Sequence, residues 1–574
     1  MTSISKRIIY FILLIFVFSN ANAQEKIVDS YDDIVFKALK DEIDRDMDSL
    51  RLPDHEPPFY MAFTYSNSAI YTISASLGAI LQARHQIVPS YSSRLMIGDY
   101  DLTDENFESS STVIPAGETG IQIDLPKEPD YYGIRRAVWS SMESLYRSAN
   151  MHYKIKMAFL QKNHIKKEDY FPADFSMEKA RILLNDSPDY ELPFDEWKEK
   201  IKRLSNVFLE YPDIQNSDIS LNAVNSTIYY VNSEGFEVKT PYCLIAVQVD
   251  AGMPVEEGEA ISETLIFSAA SPSDLPSYET MEARVREFAE YILRLKEAPI
   301  LQEKYSGPVI FTGDAAGKYI FHSLYNNRDA LVARRIPLED NSTNLYMPTK
   351  PPYNSIEAKI GKKIFHPHLS VLDISQQKSY NGEKLFGYYP NDADGIVPQS
   401  PFVIVEKGVL KGLFNGRIPS LTYSHSNGHT RHYITSQGML GKTISPGVLK
   451  VSIKKPLKYK KLVKQAKSYA KMLNLKYYLL VKNMFGEKPV GVYKVDVKTG
   501  KETLIRGVDF IPHPIKSMDE RLDAGEGENV VNAILNVPVS IIAPSSILIP
   551  KVEIFGVSRI EKNRLPVLPS PMKR

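Results

Sequence analysis

The side chains in this sequence best suited to chemistry are histidines, and four groupings of them could carry it. His322 stands alone in Ala315-Ala-Gly-Lys-Tyr-Ile-Phe-His-Ser-Leu-Tyr-Asn-Asn327, where the pattern predicts a short helix. A single helical imidazole is more often a packed core group than a ligand. His366-Pro-His368 has the i,i+2 spacing that puts two rings on one face of a strand. Two imidazoles begin a metal site without completing it. His425, His429 and His432 are spaced by four and three, which would suit a metal on a helix. Asn427-Gly428 between them is a turn signal, so a loop is expected instead. His513, flanked by Pro512 and Pro514, reads as a loop residue. The sequence contains no GxSxG elbow, P-loop or HExxH zinc motif.

Composition narrows the classes further. At 574 residues the chain has room for two to four domains. Its 43% hydrophobic and 24% charged residues are globular proportions and argue against disorder. Sixty-nine basic residues balance sixty-nine acidic ones, so the net charge attracts neither nucleic acid nor anionic lipid. The one cysteine, Cys243, excludes an intramolecular disulfide and a cysteine-based zinc cluster. Set in the apolar run Tyr242 to Val249, it reads as a buried small hydrophobe.

Residues 1–23 read as an export signal. Lys6-Arg7 precede an apolar run from Ile8 to Phe18, and Ala21-Asn-Ala23 offers a small-x-small cleavage site before Gln24. The run is shorter than the roughly 20 residues of a membrane span, and no later stretch reaches that length. The expected mature protein is two units negative, soluble, and periplasmic or secreted.

The elements that would position the histidines follow from hydrophobic spacing. Val35, Leu39, Ile43, Met47 and Leu50 predict an amphipathic first helix. Residues 59–102 alternate as β-strands do. Helices are predicted over 131–163, with Trp139, Met142, Leu145 and Tyr146 on one face, and over about 175–207. Strands return from Ile219 to Phe267. Met281, Val285, Phe288, Ile292 and Leu295 then mark a long helix ending before Pro299. Beyond Gly307-Pro308 strands dominate, apart from helices near 314–327 and 457–473. Lysines around the second of these, from Lys454 to Lys471, read as a solvated face. The fold class expected is α+β, with an antiparallel sheet and helices over 24–305 and a β-rich domain over 306–574.

Taken in order, several segments resemble the TldD/PmbA family of metallopeptidase-like proteins, closest to its exported, TldD-related branch. They include Tyr71-Thr-Ile-Ser-Ala-Ser-Leu-Gly78, Asn232-Ser-Glu-Gly235, Tyr305-Ser-Gly-Pro-Val-Ile-Phe311 and Ala315-Ala-Gly317. They continue with Gly387-Tyr-Tyr-Pro-Asn-Asp-Ala-Asp-Gly395, Val405-Glu-Lys-Gly-Val-Leu410, Ser426-Asn-Gly-His-Thr-Arg431 and Val537-Pro-Val-Ser-Ile-Ile-Ala-Pro544. The resemblance runs from about residue 30 to 560. It implies a helix bearing HExxxH, whose histidines hold a metal and whose glutamate activates water, with a further ligand near the C-terminus. Laid on this chain, the motif reads His322-Ser323-Leu324-Tyr325-Asn326-Asn327. Ser323 stands at the general-base position and Asn327 at the second histidine, while Asp523 to Ile534 offers neither cysteine nor histidine. A serine hydroxyl cannot replace a carboxylate base, and a neutral amide is a poor zinc ligand.

The expectation is therefore a catalytically silent, pseudopeptidase-like subunit. It would bind peptides at an exposed strand edge and pair, as a heterodimer or homodimer, with a homologous TldD/PmbA-type subunit carrying the intact motif. No cofactor is expected, and zinc only if the site is rebuilt around His322 with His429, His432, Asp392 or Asp394. That rebuilt metallopeptidase is one alternative; a non-enzymatic envelope peptide-binding or scaffold protein is another. Neither a nucleic-acid partner nor a membrane span is expected.

Overall fold

The computed structural model of the chain describes residues 33–108, 119–120, 124–185, 191–255, 260–325, 331–339, 355–485, 488–510, 522–535 and 537–556. The leader segment, Asn327 and His513 lie outside them. Among the described residues, no helix is long and apolar enough to cross a membrane.

Two long hairpins build the N-terminal sheet. Pro58–Ser76 pairs antiparallel with Ala79–Ile97, and Asn216–Asn232 with Glu237–Met253. The first strands of the two hairpins pair with each other, and Ile261–Ala269 extends the sheet. The first hairpin turns at Leu77-Gly78, with φ of 48° and 80°. A two-residue turn matching strand twist needs both residues left-handed. A Cβ on Gly78 would lie 1.8 Å from Asn206 Oδ1, so glycine alone fits.

Side-chain alternation then assigns the two faces. Met61, Phe63, Tyr65, Tyr229 and Val231 point to one face, under helices α1 (Ile34–Ser49) and α2 (Tyr131–Lys162). Tyr71, Ile73, Leu221 and Ala223 continue that face under α3 (Phe194–Asn206) and α4 (Tyr278–Glu297). The opposite face, with Tyr60, Ile70, Val224, Ile228 and Tyr230, looks toward the C-terminal half. In α4 all five predicted apolar positions are buried.

The C-terminal half packs two sheets around one core. One orders the strands Val409–Leu410, Phe402–Glu406, Leu369–Asp373, Val448–Ile453, Val537–Pro544 and Glu528–Leu535. The other centres on Tyr305–Thr312, between Tyr477–Phe485 and Ser546–Gly556. Helix α5 (Asp314–Tyr325) contacts strands of both sheets, and α6 (Tyr459–Met472) covers the outer face of the second. The α+β class and the β-rich C-terminal half are as the sequence predicts.

Three local readings are corrected. Helix α3 begins only at Phe194, because Pro193 opens it and Ile182–Leu184 joins the sheet edge parallel to Glu237–Lys239. Trp139 is 58% exposed, whereas Val138, Met142 and Tyr146 form the buried stripe of α2. One residue's offset is 100° of helix, enough to turn the indole to water. His366 and His368 sit in a turn leading into Leu369–Asp373, not on the strand, with rings edge to face at 4.9 Å.

Candidate functional site

Helix α5 is where the resemblance places the reactive motif, and small residues explain its seat. Ala315, Ala316 and Gly317 let the helix backbone approach the first sheet; a Cβ on Gly317 would come 3.1 Å from Val531 Cγ2. His322 and Ser323 are both buried on this helix, with Phe321 edge-on to the imidazole at 5.8 Å. One turn further on is Tyr325, whose phenol is held well above its ordinary pKa by burial and by the nearby carboxylate of Asp373.

Asp373, at the end of a central strand, organises what surrounds it. Its Oδ1 accepts from the Ser375 N–H at 2.9 Å and its Oδ2 from the Gly447 N–H at 3.3 Å. His429 Nε2 lies 3.5 Å away, Nδ1 is 2.8 Å from Asn427 Oδ1, and the ring packs on Phe414 at 4.4 Å. Burial, then Asp373, also raises the phenol of Tyr389, which donates to the Gly428 carbonyl at 3.0 Å. The guanidinium of Arg431 stacks on Tyr389 at 4.0 Å and donates to the carbonyls of Pro446 and Pro538. Asp373 carried no sequence signal, since a polar residue ending the run Leu-Ser-Val-Leu-Asp reads as a strand terminus. Tyr389 and Arg431 lay inside the family-like segments without being singled out.

The candidate aspartates are also buried, but their roles differ. Asp392 accepts from the N–H groups of Asp394, Ile396 and Thr430, which shapes its loop. Burial and the adjacent Asp394 push its carboxyl above the usual range. For Asp394, burial acts upward too, yet Lys442 at 3.0 Å and Arg417 outweigh it and hold the carboxylate ionised.

Between the sheet of the first half and this loop lies a cleft of about 240 Å³. Thr240, Tyr242 and Cys243 form one wall; Tyr389, Asp392, Arg431 and His432 form the other. The ribbon Thr430–Ile434/Leu440–Ile444 that carries His432 is docked by Ile434 and Leu440 against Ile70, Val88 and Val224. Its first strand borders the cleft, and on the side away from Leu440–Ile444 Thr430 is held by the loop, its N–H donating to Asp392 and its carbonyl accepting from the Ala393 N–H at 2.6 Å. Cys243 is half-buried; its thiol donates to Asn225 Oδ1 and burial pushes it up to about 11.

The structure therefore separates the histidines that spacing had grouped. His425 is exposed, 3.5 Å from Glu178 Oε1; His429 is sealed in the core; His432 lines the cleft. Among the described residues, no three His, Cys, Asp or Glu side chains converge on a point that could hold a metal ion. A catalytic zinc takes three protein donors, so this donor set does not fit one. What the arrangement offers is fixed hydrogen-bonding groups and an aromatic wall.

Residues 304–556 match the family model described as the PmbA/TldA metallopeptidase C-terminal domain. TldE from Thermococcus kodakarensis is 12% identical, with 91% of this chain and 100% of that one covered at a TM-score of 0.51. A protein of Bacteroides thetaiotaomicron, described as a proposed modulator of DNA gyrase, is 12% identical, with 92% and 99% covered at 0.54. One of the same description from Thermotoga maritima is 13% identical, with 86% and 96% covered at 0.51. At such identities the likeness is one of fold. No curated protein matches the chain. Residues 304–556 are thus, by sequence, a C-terminal domain of the PmbA/TldA metallopeptidase family, in a chain whose fold is shared with these structures.

Proposed function

We propose that this chain is a catalytically silent TldD/PmbA-type subunit that binds extended peptides and pairs with a homologue bearing an intact HExxxH motif. The observation that carries the reading is the motif helix itself. Helix α5 is seated between the two sheets, and it carries Ser323 at the position where the resemblance asks for a general base. The cleft beside Tyr389, Arg431 and His432, with its aromatic wall and fixed polar groups, suits an extended peptide segment. In this reading residues 1–23 direct export to the periplasm or beyond, and the domains are 24–305 and 306–574. The gap between the end of α4 at Glu297 and the strand starting at Tyr305 supports that division.

Metal analysis of the purified protein, with peptide hydrolysis measured alone and beside a motif-bearing homologue, tests the proposal. The expected result is substoichiometric zinc, peptide binding, and cleavage only in the mixture. Stoichiometric zinc with chelator-sensitive cleavage by the isolated chain overturns it. Loss of that zinc in His322→Ala would then assign a rebuilt site. That alternative needs donors such as His429, His432, Asp392 or Asp394 to converge with His322, and no group of three such donors occurs among the described residues.

A further inference from the structure

A net charge of zero conceals a strong asymmetry. Residues 454–501 contain fourteen lysines, no arginine, one aspartate and one glutamate, which is a local charge of +12. The rest of the chain carries an equal negative charge. The structure gathers the centre of this segment onto α6, whose inner face is Leu462, Ala466 and Ala470 against Ile310, Leu480 and Leu548. Lys460, Lys464, Lys467 and Lys471 recur at i, i+4, i+7 and i+11, a single stripe on the side away from that core. Among the described residues, the segment's lysines make two ion pairs, Lys482–Glu502 at 2.9 Å and Lys488–Glu263 at 3.7 Å. Neither involves α6.

This stripe works against its own helix. Like charges three and four residues apart repel. The first turn of α6 has no acidic residue and no side-chain cap, and Lys460 and Lys461 sit at the positive end of the helix dipole. An anionic surface laid over the helix removes both penalties. Apolar groups stand at the ends of the same helix: Met472 is 75% exposed, Leu473 46% and Tyr459 47%. By helical angle Met472 flanks the lysine stripe.

We propose that α6 is a peripheral docking face for a bilayer surface bearing anionic headgroups, with the lysines over the headgroups and Met472 dipping between them. The choice of lysine favours a bilayer over nucleic acid. Arginine's planar fork suits bidentate contacts to phosphates and base edges, whereas lysine is a hydrated point charge suited to a diffuse anionic plane. An exposed methionine beside the stripe has a use at a bilayer interface and none along a phosphate backbone. The proposal is independent of the peptide role and of the metal.

The test is co-sedimentation of the purified protein with phosphatidylcholine vesicles, with or without phosphatidylglycerol. Binding is expected only with phosphatidylglycerol and weakens as salt shortens the screening length. Reversing the stripe (K460E/K464E/K467E/K471E) is expected to weaken it about 100-fold or more. The neutral set K460Q/K464Q/K467Q/K471Q weakens it less and guards against a folding defect, checked by an unchanged melting temperature. Met472→Ser is expected to reduce binding without altering its salt slope. Equal binding by the wild type and both lysine variants overturns the proposal. So does an absence of phosphatidylglycerol dependence, or binding to duplex DNA with none to vesicles.

Discussion

His429 and Asp373 lie side by side with no solvent access, imidazole Nε2 to carboxylate Oδ1 at 3.5 Å, between the aromatic rings of the C-terminal core and the strand that ends at Asp373. Packed on Phe402 and Phe414, with Nδ1 2.8 Å from Asn427 Oδ1, a histidine that spacing had offered as a metal ligand has a place in the core. His429→Ala should cost about 3 kcal/mol, combining a cavity against Phe414 with the loss of its polar neighbours. Urea denaturation measures the cost, and metal content should not change. A loss of bound zinc with unaltered stability would contradict this role.

Arg417 is the second buried charge with a defined consequence, because it joins the two halves. It donates to Glu234 at 2.7 Å, to Tyr60 at 3.1 Å and to the Ser176 carbonyl, and stacks on Phe175 at 4.1 Å. Arg417→Ala strands Glu234 in the interior and should cost about 3–5 kcal/mol. Arg417→Ala combined with Glu234→Gln should cost less than the sum of the two single changes. Strict additivity in denaturant titrations would show that the pair is not coupled.

Asp46 supplies a pH dependence. Burial raises its carboxyl to about 6, with Arg45 opposing and Glu42 reinforcing the shift. The folded state thus prefers the protonated acid. Its contribution is complete below the ordinary value of 3.8 and is lost as pH rises through about 6. Stability should fall across that window by about 2 kcal/mol, allowing for partial screening. Asp46→Asn should remove this component, and a wild-type and variant pair with parallel stability–pH curves would refute it.

Cys243 reports on the cleft. With its thiol pushed up to about 11, alkylation by iodoacetamide at neutral pH should be slow and should rise about tenfold per pH unit toward 10. An extended peptide seated in the cleft should slow it further. Labelling that peptide leaves unaffected would place the peptide elsewhere.

The sequence was legible where one face of an element decides its fate. Helix α4 repeats its apolar residues without interruption, and all five are buried. The stretch before α3 was misread because Ile182–Leu184 is short, and its pairing partner lies more than fifty residues away. Periodicity cannot report such a contact. The site was harder still. Sequence spacing grouped His429 with His432, whereas folding seals one in the core and sets the other in a cleft. Asp373, beside which His429 lies, is separated from it by more than fifty residues.

The close seat of Ala315, Ala316 and Gly317 against Val531, Ala543 and Ile541 has a consequence for how such a chain can change. The helix is clamped through its backbone at one end, while the residues that would handle a metal sit toward the other. A substitution at His322 or Ser323 leaves that backbone contact untouched, so the seat of α5 is set apart from the positions where the resemblance looks for chemistry.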